Sequence, residues 1–300
     1  MQTETGIVLE RTGLRTRLLH LPIVDLTRRV LRVRLAGFAI AVILATVLMA
    51  TLAGVVAPYE PNKVNPRDSL APPSAHNWLG TDRLGRDQLT RLLYGARISL
   101  AVAITSVVIS VGLGMVMGVV GGYLGGIVDD VFMRLVDAVA AFPSLVLSLA
   151  LVAVMGIGLQ SVIIAIGVTH IPFMARVVRS QVLRERERDY VLAARAIGAG
   201  DGRIMLRHVT PNSMQPVIVQ TSITMGYAVI IEASLSFLGV GIRPPTPSWG
   251  GMLKFAFNTM DIAPWLAFAP GIAIFLLVLA FNLLGDALRD VLDPRLRGAI

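Results

Sequence analysis

The side chains in this sequence that could do chemistry are few and scattered. There is no cysteine, which removes thiol nucleophiles, disulfides and thiolate metal ligands. His20, His76, His170 and His208 lie far apart, at intervals that suit no metal cluster. No G-x-x-x-x-G-K-[ST] phosphate cradle, G-x-S-x-G elbow or H-E-x-x-H pair occurs, so neither nucleotide hydrolysis nor common hydrolase chemistry is expected on this chain. Two carboxylates, Asp137 and Glu232, fall inside apolar stretches, where a charge is costly and carries a functional hypothesis. Glu232 has two readings, lining a translocation path where it could attract an amine, or pairing with another helix. The run GTDRLGRD holds Gly80, Asp82, Arg83, Gly85, Arg86 and Asp87. It is either a contact surface for another protein or a set of internal ion pairs, and its acids are too sparse for a calcium-type site.

A different kind of chemistry, that of a docking handle, is suggested by Asp189–Asn212, which reads DYVLAARAIGAGDGRIMLRHVTPN. Asp189 is placed to cap a helix over Tyr190–Ile197. Tyr190, Ala193, Ala194 and Ile197 then share one face at i, i+3, i+4 and i+7, and the two alanines leave it shallow enough for close docking. Gly198 and Gly200 permit a left-handed helix stop. Asp201 is placed to cap a second short helix from Gly202 to about His208, which Pro211 ends. A plain hairpin between two spans is the other reading of the same residues.

The elements around these residues are membrane spans. The chain has 300 residues, 55% of them hydrophobic and only 15% charged, too apolar and too weakly charged for a soluble domain. Apolar stretches long enough to cross a bilayer fall at Leu35–Ala57, Ile98–Val120, Leu135–Met155, Val162–Val178, Val217–Leu238 and Trp265–Leu284. Asp137 and Pro143 interrupt the third, and His170 with Pro172 reads as a helix-packing break in the fourth. The expected fold is an all-α membrane protein, a bundle of six transmembrane helices. The apolar run near Leu35 is too long for a signal peptide and is expected to be a retained helix.

The formal net charge of +8 is concentrated beside the spans, so it is a topology signal and not a nucleic-acid footprint. With a cytosolic N-terminus, the arginine-rich segments Arg11–Arg34, Arg176–Arg207 and Arg289–Arg297 all fall inside, as the positive-inside rule requires. Both termini and the handle are then cytosolic. The organisation expected is a basic segment over residues 1–34 that can lie on membrane lipid, a bundle over 35–296 and a tail over 297–300. Within the bundle, 58–97 forms an extracytoplasmic loop and 184–212 a cytosolic coupling loop. A second outer segment, Gly239–Pro264, is rich enough in proline to stay out of regular helix. Gly114, Gly118 and Gly122 recur at helical spacing and are read as close packing between helices. Asp286, Arg289, Asp290 and Asp293 form a charged stripe on the helix that leaves the membrane, either a solvated face or a second contact with the handle or with the protein that docks on it.

Ala193-Ala194, Gly198 and Pro211 resemble the cytosolic loop of ABC-importer permeases, written EAA, three residues, G, nine residues, I-x-L-P. Leu192 stands where that pattern has Glu, and His208 and Thr210 where it has Ile and Leu. Gly80–Leu100, Ala233–Gly241, Pro244–Leu253 and Phe281–Leu296 are similar to the second permease subunit of the dipeptide and oligopeptide importers and their nickel, haem and glutathione relatives. The resemblance implies a type I importer of the bacterial or archaeal cell membrane. In such a machine two permeases form the path, two ATPase subunits bind ATP and Mg and grip the coupling loops, and an extracytoplasmic binding protein delivers the solute. On this chain it implies a coupling role for Tyr190, Ala193, Ala194, Arg195, Ile197, Gly198, Asp201 and Pro211, with no enzyme activity and no cofactor. The solute implied is a di- or oligopeptide, the alternative within the family being glutathione, nickel or haem. From a different class, the rival is a proton-coupled peptide carrier working alone.

Overall fold

The computed structural model describes Val30, Val33 and residues 35–292, and what it describes is helical without strands. The basic N-terminal segment, apart from Val30 and Val33, and the C-terminal tail lie outside the described residues. Five straight helices are long and apolar enough to cross a bilayer. They are α1 (Ala36–Val56), α2 (Gln88–Leu124), α5 (Leu159–Glu185), α9 (Met214–Leu238) and α11 (Trp265–Leu292). A sixth crossing is made by two shorter helices, α3 (Gly126–Ala140) and α4 (Ser144–Met155), bent by 89° at their junction. The stretch expected as one straight span, Leu135–Met155, is therefore broken. Pro143 caps α4 from an extended conformation, with φ −54° and ψ 130°, and its ring prevents the previous helix from continuing. The converse holds in α5, where Pro172 sits inside an unbroken helix and no break is found.

Several helices outrun their apolar stretches. α2 begins at Gln88, so the outer loop ends at Asp87 and Gln88–Arg97 is helical. The segment Gly239–Pro264, expected to be irregular, contains the helix α10 (Trp249–Phe257). Ser248 caps it by accepting from the Gly251 amide at 3.1 Å, and the Trp249 indole donates to the Leu92 carbonyl of α2 at 2.9 Å. A cap and one buried anchor decide that helix against the local proline content.

Contacts fix the order of crossings. The handle end is where the Tyr123 hydroxyl, at the end of α2, meets Asp201. Val30 and Ala36 before and at the start of α1 pack on Ala287 and Val291 of α11 at one end. That end is again the handle end, because the Gln215 amide at the start of α9 donates to the Leu292 carbonyl. The opposite end gathers the start of α2, the start of α11 and α10, with the Gln88 amide donating to Leu266 at 3.0 Å. α2 arrives at the handle end and α5 returns to it, so α3 and α4 together must travel the full height. With the bent pair counted as one span there are six candidate crossings among the described residues, and both described ends lie on the handle side.

The core is assembled by close approach. α2 packs along α5 through Gly114, Gly118 and Gly122, the glycines expected to do so. A Cβ at Gly114 would lie 2.8 Å from the Met174 Cβ, and one at Gly118 2.7 Å from the Ala175 carbonyl oxygen. In lipid, where apolar burial drives helix association weakly, such backbone proximity supplies the dispersion contact that holds helices together.

Candidate functional site

The segment between α5 and α9 is built as a short helix, a turn and a second helical stretch. The first, α6 (Asp189–Ala196), begins at Asp189 itself, and no side chain caps it. Asp189 favours the helix N-terminus through its charge rather than through a cap. The helix ends in a Schellman turn. The Gly198 amide donates to Arg195 at 2.9 Å and the Ala199 amide to Ala194 at 3.0 Å, with Gly198 at φ +81°. The left-handed stop expected at Gly198 is present, and Gly200, at φ −69°, is not part of it. The second stretch runs through α7 (Asp201–Ile204), a π turn at Met205–Val209 and α8 (Thr210–Asn212). It therefore continues past His208, and Pro211 lies within the helical run where an end was expected. Asp201 does not cap it either; its carboxylate is turned to the Tyr123 hydroxyl at 2.8 Å.

The face of α6 differs from the expected one. Val191 and Ala194 are buried, while Ala193, Leu192 and Ile197 are exposed. Ala194 packs in a cluster with Tyr123 of α2, Val178 and Val182 of α5, and Ile204 and Val209 of the second stretch. The helix register that buries Val191 takes Ala194 with it at i+3, so Ala194 faces the bundle and not a partner. What the handle presents outward includes three large apolar side chains. Ile197 is 87% exposed, Leu206 63% and Leu192 52%. Exposed arginines, Arg203 and Arg207, flank Leu206 in the sequence. The Tyr190 hydroxyl donates to Glu185, the last residue of α5, at 2.8 Å. Burial and that carboxylate hold the Tyr190 phenol above its ordinary pKa, so it stays a neutral donor.

The handle is held stiffly to the bundle. Arg186 donates to the Gly122 carbonyl at 2.8 Å, and the Arg195 guanidinium lies 5.9 Å from the Tyr123 ring. Beside it, Arg179 makes a bidentate pair with Asp129 of α3 at 2.6 and 2.5 Å. Asp137 pairs with Arg176 at 2.7 Å in an exposed setting. The charged stripe on α11 remains exposed at Asp286, Arg289 and Asp290, and Asp293 lies outside the described residues.

At the other end, GTDRLGRD is folded inward. The Asp82 carboxylate accepts from the Leu84 and Arg86 amides at 2.9 and 3.0 Å and from the Arg86 guanidinium at 2.7 Å; Arg91 of α2 lies 3.8 Å away. Asp87 caps α2 through the Thr90 amide at 2.8 Å and accepts from the Asn77 side chain at 2.9 Å. Gly85 has φ +67°, and a Cβ there would fall 1.8 Å from the Asn65 carbonyl oxygen; Gly80, at φ +76°, is equally closed by Ala71. Gly80, Asp82, Gly85, Arg86 and Asp87 are all buried. The expected contact residues therefore build the loop from inside, and the exposed surface falls to neighbours such as Trp78, Arg83 and Leu84.

Glu232, a candidate for the path, is packed inside this chain. It has no exposed surface, and its Oε1 accepts from the Ser236 hydroxyl at 2.8 Å. Ser236 Oγ in turn accepts from the Ile242 amide at 3.3 Å. In this conformation the carboxyl is tied through Ser236 to the turn after α9. His170 is likewise occupied, with Nδ1 2.9 Å from the Ile166 carbonyl one helical turn back. The sequence reading missed Tyr123 and Arg91, the residues that tie α2 to both ends. The signal for them was weak, an aromatic and an arginine just outside an apolar run.

Residues 96–298 match the family described as the inner membrane component of binding-protein-dependent transport systems. Residues 22–73 match the N-terminal transmembrane domain of oligopeptide transport permease C. A glutathione transport system permease protein of Pectobacterium atrosepticum is 43% identical over 272 residues, covering 90% of each chain. A dipeptide transport system permease protein of Alkalihalophilus pseudofirmus is 40% identical over 264 residues, covering 88% of this chain and 87% of its own. In structure, the chain is similar to one in the inward-facing MetNI methionine ABC transporter. The TM-score is 0.55 with 22% identity, over 67% of this chain and 96% of that one, a likeness of fold.

Proposed function

The chain belongs to the inner-membrane components of binding-protein-dependent transport systems, and from that premise we propose that it is one of two permease subunits of an ABC importer for short peptides. The substrates in the relatives' names, a dipeptide and glutathione, are both short peptides with charged ends. That supports peptides over nickel or haem as the solute. A proton-coupled carrier working alone does not fit the family.

In this reading the handle end faces the cytosol and both termini lie there. Arg184, Arg186, Arg188, Arg195, Arg203 and Arg207 in and beside the handle favour that side. Two separate ATPase subunits bind ATP and Mg, and one of them grips the handle. A binding protein meets the opposite end. The coupling residues retain their proposed roles with one division of labour. Tyr190, Ala193 and Ile197 meet the ATPase, while Ala194, Arg195, Gly198, Asp201 and Pro211 hold the handle in shape against the bundle.

The observation that carries this is the exposed apolar surface of Leu192, Ile197 and Leu206 on a helix–turn–helix whose Val191, Ala194, Ile204 and Val209 pack into the bundle. Apolar side chains at such exposure, away from the spans, mark a contact surface. Where the family loop carries Glu, Leu192 makes this face apolar, so the groove receiving it is expected to be apolar at that point. The test is disulfide trapping in the intact transporter with cysteines at Ala193 or Ile197 and along the ATPase groove. Crosslinks at these positions and none at the buried Ala194 are expected. Labelling of Ile197→Cys in intact cells by an impermeant reagent from outside would reverse the topology.

A further inference from the structure

The helix α2 has a length that spanning alone does not require. Its 37 residues rise about 55 Å, against about 30 Å of hydrocarbon. It runs unbroken, and the seam at Gly114 and Gly118 clamps it to α5 at backbone distance. Both ends project, and both are tied.

At the outer end α2 is bound to the loop before it, to α10 and to the start of α11. Asp87 caps it and accepts from Asn77; the Arg91 guanidinium lies against Asp82 and donates to the Pro61 carbonyl at 2.9 Å. Gln88 donates to Leu266, and Trp249 of α10 donates to Leu92. At the inner end Arg186 donates to the Gly122 carbonyl just before the handle, and Tyr123 makes the tie to the handle's second stretch. The Tyr123 ring is buried in the cluster that holds Val191, Ala194 and Ile204 of the handle. Its hydroxyl donates to Asp201 Oδ1 at 2.8 Å, at the first residue of α7.

We propose that α2 is a transmission rod between the outer surface and the handle, and that the Tyr123–Asp201 hydrogen bond is its linkage to the handle. Tyr123 is then a positioning residue for energy coupling. Arrival of a loaded binding protein on the outer segments shifts the start of α2. A stiff helix carries that shift along its axis, and Asp201 receives it, reorienting the second handle stretch against the ATPase. The ring of Tyr123 serves packing, and the hydroxyl serves the linkage. This inference rests on the handle being the ATPase contact, as proposed above.

The two roles of Tyr123 separate in Tyr123→Phe, which keeps the buried ring and removes the hydroxyl. The measurement is ATP hydrolysis by the whole transporter in lipid nanodiscs, with and without binding protein loaded with a dipeptide. For Tyr123→Phe the ratio of stimulated to basal rate is expected to fall about five- to tenfold, within the range for losing one ordinary hydrogen bond, because Asp201 is exposed. Complex yield and basal rate should stay at wild type. Asp201→Ala should lose the same ratio, and the double variant should lose no more than either single one. Asp201→Asn keeps the accepting oxygen and should hold the ratio within about twofold.

A wild-type ratio in Tyr123→Phe, or additive losses in the double variant, would overturn the linkage. Ile197→Asp separates the two levels of the argument. If ATPase subunits remain bound and normally stimulated in that variant, the handle reading fails. If they detach while Tyr123→Phe remains fully stimulated, the rod alone fails.

Discussion

The loop at the far end of the bundle and the handle at the near end are both polar segments between spans, yet they are finished differently. In the loop the charges next to α2 point inward. Asp82, Arg86, Asp87 and Arg91 are each buried and each partnered within this chain. In the handle Tyr123–Asp201 and Arg186–Gly122 hold the side against the bundle, while Ile197, Leu206 and Leu192 stand exposed alongside Arg203 and Arg207. A buried, mutually satisfied set of charges is a closed construction, because removing one member leaves another desolvated and unpaired. An outward apolar face is an open one, whose stabilisation is realised only when something covers it. The far loop owes its shape to this chain; in the reading proposed above, the handle owes its purpose to another.

That contrast can be tested by where each substitution does its damage. The largest loss of chain stability is expected from Asp82→Ala, which strands Arg86 and leaves the Leu84 and Arg86 amides without their acceptor. Breaking one partner from a buried pair costs about 3–5 kcal/mol. Thermal unfolding of the purified chain in detergent should show it as a markedly lower midpoint. A midpoint equal to wild type would mean that the far loop is not self-supporting.

Ile197→Asp should do the opposite, leaving that midpoint in place while ATPase subunits fail to co-purify and uptake drops by roughly a hundredfold. Placing a charge in an apolar contact costs about 2–4 kcal/mol even with partial solvation. Uptake close to wild type would show that Ile197 is not covered by a partner.

Gly198→Val stands between the two. A β-branched residue at φ +81° carries strain of about 1–3 kcal/mol, released by re-angling α6. Uptake and stimulated hydrolysis should both fall severalfold at normal complex yield. Normal coupling in this variant would remove the turn from the mechanism.

The smallest effect is expected at Asp137→Asn. Its pair with Arg176 is short at 2.7 Å but exposed on both sides, so stability should change by less than about 0.5 kcal/mol. A larger shift would mean that this face is covered by a neighbouring subunit.

Much of this arrangement can be read along the chain, and the parts that cannot share a cause. Crossing number, helical class and the Gly198 turn are local properties of apolar length and backbone freedom. Pro143 and Pro172 show the limit, since one bends the chain by 89° and the other sits in a continuous helix. Which outcome holds depends on neighbours distant in sequence. The same is true of α10, held by a carbonyl on α2 across a gap of more than a hundred residues. Ala194 was placed on the outer face because helical spacing gives a face but not its direction. Val191, drawn into the cluster with Tyr123, supplies the direction. Asp82 and Arg86 look solvated in a loop sequence, because the burial that makes them structural comes from the start of α2 and from the folded loop itself.

The turn at Gly198 has one further consequence, and it concerns chirality. No atom lies within 4 Å of where an L side chain would sit at this position. The demand is therefore not for smallness, as it is at Gly85, but for a backbone of the left-handed type. For an L residue that region is disfavoured by about 1–2 kcal/mol; for a residue of the opposite hand it is the preferred one. Glycine is used at 198 because it is the only genetically encoded residue without handedness. A chain assembled by ligation with D-alanine at 198 should keep the joint of the handle and hold it more firmly than glycine does.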